Sequence, residues 1–163
     1  MQAAPNGCKL AFSHPTTFGT RSPLGLFDFD PATGAVSNYV SLGPLIEANS
    51  LCFSPDNTKL YIPDFRRTPN GQDRNVITQF DLQAGDGAAI AASGQSIVAG
   101  NPTTNISTTV LSETAYLLQN GPNGRIYGAS GYQGPGVPLS DNANMFYVIG
   151  RPNARGFACD VRA

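Results

Sequence analysis

The chain has little charge and few of the residues that build reactive sites. Only 13% of its 163 residues are Asp, Glu, Lys or Arg, and its formal net charge is -1. It has one histidine, three cysteines and no tryptophan. Its only basic cluster is Arg66-Arg67, so the sequence lacks the electrostatic footprint of a protein that binds a phosphate backbone. We therefore expect no nucleic-acid partner.

Long hydrophobic runs are also missing. No uninterrupted apolar stretch approaches the roughly 18 residues that a bilayer span requires. The polar, proline-containing start at residues 1–7 does not have the pattern of a signal peptide. Export information then lies elsewhere in a longer gene, or the protein stays inside the cell. Two lysines against eight arginines, with abundant Asn, Thr, Ser and Gly, favour an extracellular or cell-surface protein whose export signal is outside this chain.

The three cysteines, Cys8, Cys52 and Cys159, are far apart in the sequence. This separation excludes the Cys-x-x-Cys pairs of zinc ribbons and redox sites. The three allow one disulfide with one thiol left over, or three free thiols. We expect no cofactor.

Turn-forming residues are abundant. The chain contains 18 glycines and 13 prolines, and 40% of its residues are hydrophobic. Such a chain can bury a core but changes direction often, which favours short strands over long surface helices. The sequence therefore predicts an all-β fold.

A hairpin motif repeats along the chain. Two clear copies place an apolar strand before a turn and a second strand after it. Proline and the Asp, Asn or Gly that follow it suit the tight reversal. A degenerate third copy is expected at residues 12–17. The turn residues of the two clear copies are Pro55, Asp56, Asn57, Pro122, Asn123 and Gly124.

A third strand, rich in aromatic and β-branched residues, follows each hairpin, at residues 26–34, 77–85 and 145–150. The 67 positions from Pro55 to Pro122 equal those from Phe80 to Tyr147. Fourth strands are expected at residues 35–42 and 88–98. A helix over residues 86–96 is rejected because glycines flank it.

Each unit thus offers about four antiparallel strands, which is the blade of a β-propeller. The predicted blades cover about residues 8–42, 46–98 and 113–163, and the first lacks a clear second strand. Closed propellers need about four to eight blades, so residues 1–163 are predicted to be part of a larger ring. The other blades would come from a longer polypeptide, further copies of this chain or a separate partner chain. The first and third sources are favoured.

The repeat resembles the WD40-like or YVTN-type β-propellers of secreted bacterial proteins, especially those of the Bacteroidetes lineage. The resemblance extends from about Leu10 to Cys159, and residues 147–159 look like a last blade of that group. It implies an extracellular propeller, often part of a surface adhesin, with no fixed chemistry. The segments that carry it are Ala11-Phe12-Ser13, Leu26 to Gly34, Leu51 to Ile62, Leu118 to Tyr127, Tyr147 to Asn153 and Gly156 to Cys159.

The predicted binding site lies on two long connections between second and third strands, at residues 65–75 and 130–144. Antiparallel blades place these connections on one side, and long loops on a rigid scaffold often carry binding residues. The expected ligand is a protein or a glycan. The candidate residues are Arg66, Arg67, Asp73, Arg74, Tyr132 and Asp141.

The sequence gives little support to catalysis. His14 is the only histidine and occupies a turn, so a serine triad has no evident base. Asp28 and Asp30 would share one strand face but are more simply explained as repeat and turn residues. We expect a non-catalytic structural or interaction module. One alternative is a lactonase-like metal-dependent hydrolase that uses Glu47 and Glu113, and another is a fibre subunit that assembles by strand-edge pairing.

Overall fold

In the computed structural model, the described residues form three four-stranded antiparallel sheets. The structure describes residues 1–14, 21–46, 48, 50–67, 73–97, 117–131 and 144–162. None of the helices in these described ranges is long and apolar enough to cross a membrane. The predicted all-β architecture of about three four-stranded units is confirmed.

The strands pair in chain order within every sheet. Sheet 1 contains β1 (Gln2–Ala3), β2 (Lys9–Ser13), β3 (Arg21–Phe29) and β4 (Val36–Ile46). Sheet 2 contains β5 (Cys52–Phe53), β6 (Lys59–Arg67), β7 (Asp73–Asp81) and β8 (Gln95–Ile97). Sheet 3 contains β9 (Leu117–Asn120), β10 (Ile126–Gly131), β11 (Asn144–Ile149) and β12 (Val161–Arg162).

The first hairpin of each sheet closes through a turn of the same kind. Its fourth residue is left-handed in all three sheets, with φ of 73° at Gly7, 66° at Asn57 and 72° at Gly124. The N–H of that residue donates to the carbonyl oxygen three positions earlier. Glycine and asparagine adopt this conformation at low cost, which explains why they occupy the position.

The first unit differs from its prediction. Its hairpin turn lies at residues 4–8, and residues 12 and 13 belong to β2 rather than to a turn. Sheet 1 therefore has a full second strand and is not degenerate. The strand before the turn, β1, has only two residues, so it leaves almost no alternating pattern in the sequence.

The rejected helix is present. α1 (Gly87–Ala92) occupies part of the segment that was predicted to be a fourth strand, and only β8 remains of that strand. The Asp86 side chain caps α1 by accepting a hydrogen bond from the Ala89 N–H at 2.9 Å. An aspartate cap followed by alanines is a strong helix signal, and it outweighs the flanking glycines.

Strand β6 does not end at Pro63, although proline usually interrupts a strand. It continues to Arg67, and β7 begins at Asp73. Most of the predicted loop at residues 65–75 is therefore strand backbone. Pro63 pairs with Ile77 inside the sheet.

The three sheets stack in chain order through two apolar cores. We call the face of a sheet that is turned toward the next sheet in the chain its forward face, and the opposite face its backward face. The first core joins the forward face of sheet 1 to the backward face of sheet 2, and the second joins sheet 2 to sheet 3 in the same way. The first core includes Ala11, Leu24, Leu26, Phe53, Leu60, Ile62 and Phe80. The second includes Cys52, Tyr61, Ile77, Leu118, Ile126, Tyr147 and Ile149.

A buried polar contact fixes sheet 3 onto sheet 2. The Gln79 amide accepts a hydrogen bond from the Gly156 N–H at 2.7 Å and donates to the Ala154 carbonyl at 2.8 Å. It also donates to the Tyr61 hydroxyl at 2.6 Å, which in turn donates to the Pro152 carbonyl at 2.7 Å. These bonds satisfy backbone groups of the segment between β11 and β12, so Gln79 sets how that segment sits on sheet 2.

We predict that Gln79→Ala lowers the free energy of unfolding by about 2–4 kcal/mol, because it leaves buried polar groups without partners and opens a cavity. Urea denaturation measures the change. Gln83→Ala is the matched control at an exposed position, where we expect a change within about 0.5 kcal/mol. Equal effects of the two variants would show that the Gln79 network does not hold the sheets together.

Candidate functional site

The strand ends define two opposite ends of the stack. The connections from β2 to β3, β6 to β7 and β10 to β11 all begin and end at one of them, which we call the loop end. The tight hairpin turns lie at the opposite end, which we call the turn end. The predicted binding connections therefore leave from the same side of the sheets.

Four of the six predicted binding residues lie close together in the backbone of sheet 2. Arg66 pairs with Arg74, and Arg67 pairs with Asp73, in the last two register positions of β6 and β7 at the loop end. Three arginines and one aspartate are thus adjacent in the sheet. The other two predicted residues, Tyr132 and Asp141, lie outside the described residues.

A cleft of about 350 Å³ opens at the loop end. The start of β1, the end of β2, the residues just before β5 and Leu118 of β9 contribute to it, so it lies where the first strands of the three sheets meet. Its volume is in the range typical of small-ligand sites. The lining residues are Met1, Gln2, Ser13, Ala48, Ser50, Leu51 and Leu118.

Two hydroxyl groups in this cleft also connect the segments that line it. Ser50 Oγ accepts a hydrogen bond from the Leu118 N–H at 3.0 Å, which ties sheet 3 to the segment before β5. Ser13 Oγ donates to the Ala48 carbonyl oxygen. No sequence motif predicts this cleft, because its residues come from four separate segments.

The residues considered for catalysis do not form a site in the described structure. His14 is exposed, and its backbone N–H donates to the Pro23 carbonyl at 3.3 Å. Glu47 and Glu113, proposed for a lactonase-like enzyme, lie outside the described residues. Within the described ranges, no group of three or more His, Cys, Asp or Glu side chains is placed to hold a metal ion.

Two aspartates have a repeated structural role. Asp28 pairs with Lys9 at 2.7 Å in sheet 1, and Asp81 pairs with Lys59 at 3.2 Å at the equivalent place in sheet 2. The Lys9 ammonium and then the Asn38 amide lower the pKa of Asp28. Burial raises the pKa of Asp81, but the Gln83 N–H and the Lys59 ammonium together outweigh burial and hold that pKa below its usual value.

Asp30 lies two residues after Asp28, in the turn between β3 and β4. Its carboxylate accepts hydrogen bonds from the Thr33 hydroxyl at 2.7 Å and the Ala32 N–H at 2.9 Å. Asp30 is therefore a turn residue. The Asp28 carboxylate accepts hydrogen bonds from the Lys9 ammonium and the Asn38 amide.

The three cysteines are free thiols, and no disulfide joins them. Cys8 is exposed, whereas Cys52 and Cys159 are buried in the second core. Burial raises the pKa of the Cys52 thiol to about 12 and that of Cys159 to about 11. The buried thiols are therefore packing residues that resist deprotonation.

Comparison with known proteins assigns no family. No family model matches the chain, and no curated protein matches it. One similar solved structure is the hydrazine synthase of Kuenenia stuttgartiensis, with 11% sequence identity and a TM-score of 0.42. The match covers 90% of this chain and 36% of that one, so the chain spans about a third of the length of the hydrazine synthase chain.

We predict that a thiol reagent labels only Cys8 in the folded protein, because the other two thiols are buried and protonated. Mass spectrometry after a short exposure at neutral pH should find one modified thiol, and three after denaturation. Cys8→Ser should remove the fast reaction. Rapid labelling of Cys52 or Cys159 in the folded protein would contradict the packing of the second core.

Acid should destabilise the protein through the two Lys–Asp pairs. A carboxylate whose pKa is lowered in the folded state adds stability above the unfolded pKa of about 4, and this stability is lost as the pH falls through the lower folded pKa. The free energy of unfolding should therefore be flat from pH 7 to about 5 and then decrease. In Asp81→Asn the decrease should be shallower than in the control Asp86→Asn, which keeps a helix-capping side chain. Identical pH profiles would argue against the Asp81 pair.

Proposed function

We propose that this chain is a non-catalytic interaction module of an exported bacterial surface protein: consecutive blades of a larger β-propeller that present the loop end to a protein or glycan ligand. The proposal joins the sheet architecture to a binding role. Its support comes from burial in the stack, from the residues at the loop end and from composition.

The burial of equivalent residues carries the proposal. Tyr61 on the forward face of sheet 2 is fully buried, and Tyr127 occupies the same position in sheet 3 but is 38% exposed. Ile77 is 3% exposed, whereas its counterpart Phe146 is 73% exposed. The side chains on this face of sheet 3 are suited to contact with another sheet. The three sheets therefore resemble a portion of a longer series of blades.

The loop end has features that support ligand binding. Arg66, Arg67 and Arg74 are neighbours in β6 and β7 with one aspartate, Asp73, among them. Arginine carries five N–H donors in a planar fork, which suits carboxylates, sulfates and sugar hydroxyls. The cleft between the first strands opens at the same end. A glycan with acidic groups or an acidic protein surface fits this combination.

Composition supports an extracellular location. Only two lysines occur among ten basic residues, and polar uncharged residues are abundant. In such a setting, a rigid β-scaffold with a variable loop end is a common way to hold binding residues. The proposed role therefore requires no cofactor.

We predict that Arg66→Ala/Arg67→Ala weakens ligand binding at least about tenfold and leaves folding intact, because both residues occupy the last two positions of β6 at the loop end. The purified chain should be tested on an array of acidic and neutral glycans and against purified extracellular proteins. Tyr132→Ala should also weaken binding. Circular dichroism checks the fold of each variant.

Arg151→Ala is the matched control, because Arg151 is an exposed arginine at the turn end. It should bind as the unmodified chain does. If the loop-end variants and this control bind equally well, the loop end is not the binding face. If the unmodified chain binds no member of the array and none of the proteins, the proposed interaction role loses its support.

A further inference from the structure

Two serine hydroxyls in the cleft at the loop end make hydrogen bonds whose direction is fixed by their partners. Ser50 Oγ accepts from Leu118 at 3.0 Å, because a backbone N–H can only donate. Ser13 Oγ donates to Ala48, because a carbonyl oxygen can only accept. The protein itself therefore commits each hydroxyl in one direction, and the two directions are opposite.

These commitments decide what the two hydroxyls offer to a ligand. A serine hydroxyl has one proton to donate and two lone pairs that accept. Among the described residues, Ser50 uses a lone pair and keeps its proton, whereas Ser13 uses its proton and keeps its lone pairs. The Gln2 side chain adds an amide, which can both donate and accept. The cleft thus presents one hydroxyl donor, one hydroxyl acceptor and one group of both kinds.

The remaining lining is apolar and held in place by packing. Leu51 is 7% exposed and belongs to the first core, and Leu118 is 6% exposed and belongs to the second. None of the seven side chains that line the cleft in the described structure carries a charge. A concave site with apolar walls and a few placed polar groups is typical of a small-ligand pocket.

This pattern selects a class of ligand. A carboxylate can accept from Ser50 but turns its oxygens toward the lone pairs of Ser13, and an ammonium group has the opposite mismatch. Neither charge finds an opposite charge among the lining side chains, so its desolvation is not compensated. A ligand hydroxyl both accepts and donates, so it matches Ser50 and Ser13 together. A sugar ring carries several hydroxyls and also C–H groups that can contact the leucines.

We propose that the cleft binds one uncharged sugar unit of a glycan, with ring hydroxyls that accept from Ser50 Oγ and donate to Ser13 Oγ. The inference rests on the proposed function, because it takes the loop end as the ligand face, and it names the sugar unit that the cleft recognises. A compact ring fits the cleft better than a peptide does. An extended peptide bonds to a row of main-chain groups along one strand edge, whereas four separate segments supply this lining.

The loop-end arginines then contact a different unit of the same glycan. The last paired residue of β5 toward the loop end is Cys52, which lies opposite Tyr61. Arg66 and Arg67 come five and six residues after Tyr61 in β6, which is about 16–20 Å along the strand. An acidic unit at the arginines and an uncharged unit in the cleft are therefore separate positions along one ligand.

The first test is an NMR titration of the ¹⁵N-labelled chain with methyl glucoside, methyl mannoside and methyl galactoside. We expect at least one of them to bind with a dissociation constant of about 1 mM and to shift the amide signals of Leu51 and Leu118. Methyl glucuronoside and methyl glucosaminide each carry one charged group in place of an uncharged one. At the cleft, both should bind at least about tenfold more weakly than the best uncharged sugar.

The second test changes the cleft. Ser13→Ala and Ser50→Ala should each weaken the uncharged sugar at least about fivefold, but each also removes a bond between segments of the cleft. Gln2→Glu leaves both bonds in place and adds a carboxylate. It should weaken the uncharged sugar at least about fivefold and strengthen methyl glucosaminide, whose ammonium group gains an opposite charge. Gln83→Glu, at an exposed position of the turn end, is the matched control and should change neither affinity.

Three outcomes overturn the proposal. The first is no shift of the Leu118 signal with any of the three uncharged sugars at about 50 mM. The second is equal binding of the best sugar by Gln2→Glu and by the unmodified chain. The third is a shift of this signal by an uncharged, end-blocked alanine peptide and by no sugar, which would indicate a peptide site.

The proposed function is tested separately. Binding of a glycan or protein that requires Arg66 and Arg67 but leaves the Leu118 signal unchanged would support the loop end as the binding face without a sugar in the cleft. Binding of a methyl glycoside in the cleft by a chain that binds no member of the array and none of the proteins would support the cleft alone.

Discussion

A four-stranded antiparallel sheet whose two faces are both apolar needs a neighbouring sheet on each side. This constraint governs the structure. Sheet 2 satisfies this constraint, because successive side chains of its strands enter different cores. Cys52 and Tyr61 lie in the second core, and Phe53, Leu60 and Ile62 lie in the first. The period of two along a strand turns successive side chains to opposite faces, so one sheet can serve two junctions.

The polar contacts follow from the same stacking. Once two sheets are pressed together, the backbone groups between them lose water and must find partners. Gln79 and Tyr61 satisfy the segment between β11 and β12, and Asn120 Nδ2 donates to the Phe53 carbonyl at 3.0 Å. At the turn end, the Asn6 N–H donates to Asn57 Oδ1 at 2.9 Å. These bonds give each junction a defined register, whereas apolar burial provides most of its free energy.

The sequence was sufficient to predict the fold class, because the Pro-Asp-Asn and Pro-Asn-Gly turns mark hairpins between apolar strands. It was insufficient at three places. β1 is too short to show an alternating pattern, the glycines beside α1 led to its rejection as a helix, and β6 and β7 extend into the predicted loop at residues 65–75. α1 is also held by a tertiary contact that the sequence does not show, because it buries Ile90 in the first core.

The candidate site was only partly accessible from sequence. Arg66, Arg67, Asp73 and Arg74 could be grouped because they fall in one short stretch between two predicted strands, although they lie in strands rather than in a loop. The cleft could not be anticipated, because Ser13, Ser50 and Leu118 become neighbours only when the sheets stack. The equal spacing suggested that Tyr147 is the counterpart of Phe80, but the strand register makes Ile149 its counterpart. The hairpin turn of sheet 3 is one residue shorter than that of sheet 2.

The central claim is that the outer faces of sheets 1 and 3 are junctions that another sheet covers in solution. Hydroxyl-radical footprinting of the native particle, read by mass spectrometry at single residues, tests it most directly. The account predicts that Tyr39, Tyr127 and Phe146 react slowly, at rates close to that of the buried Tyr61. Fast oxidation of these three side chains in a stably folded particle, with Tyr61 still protected, would contradict it.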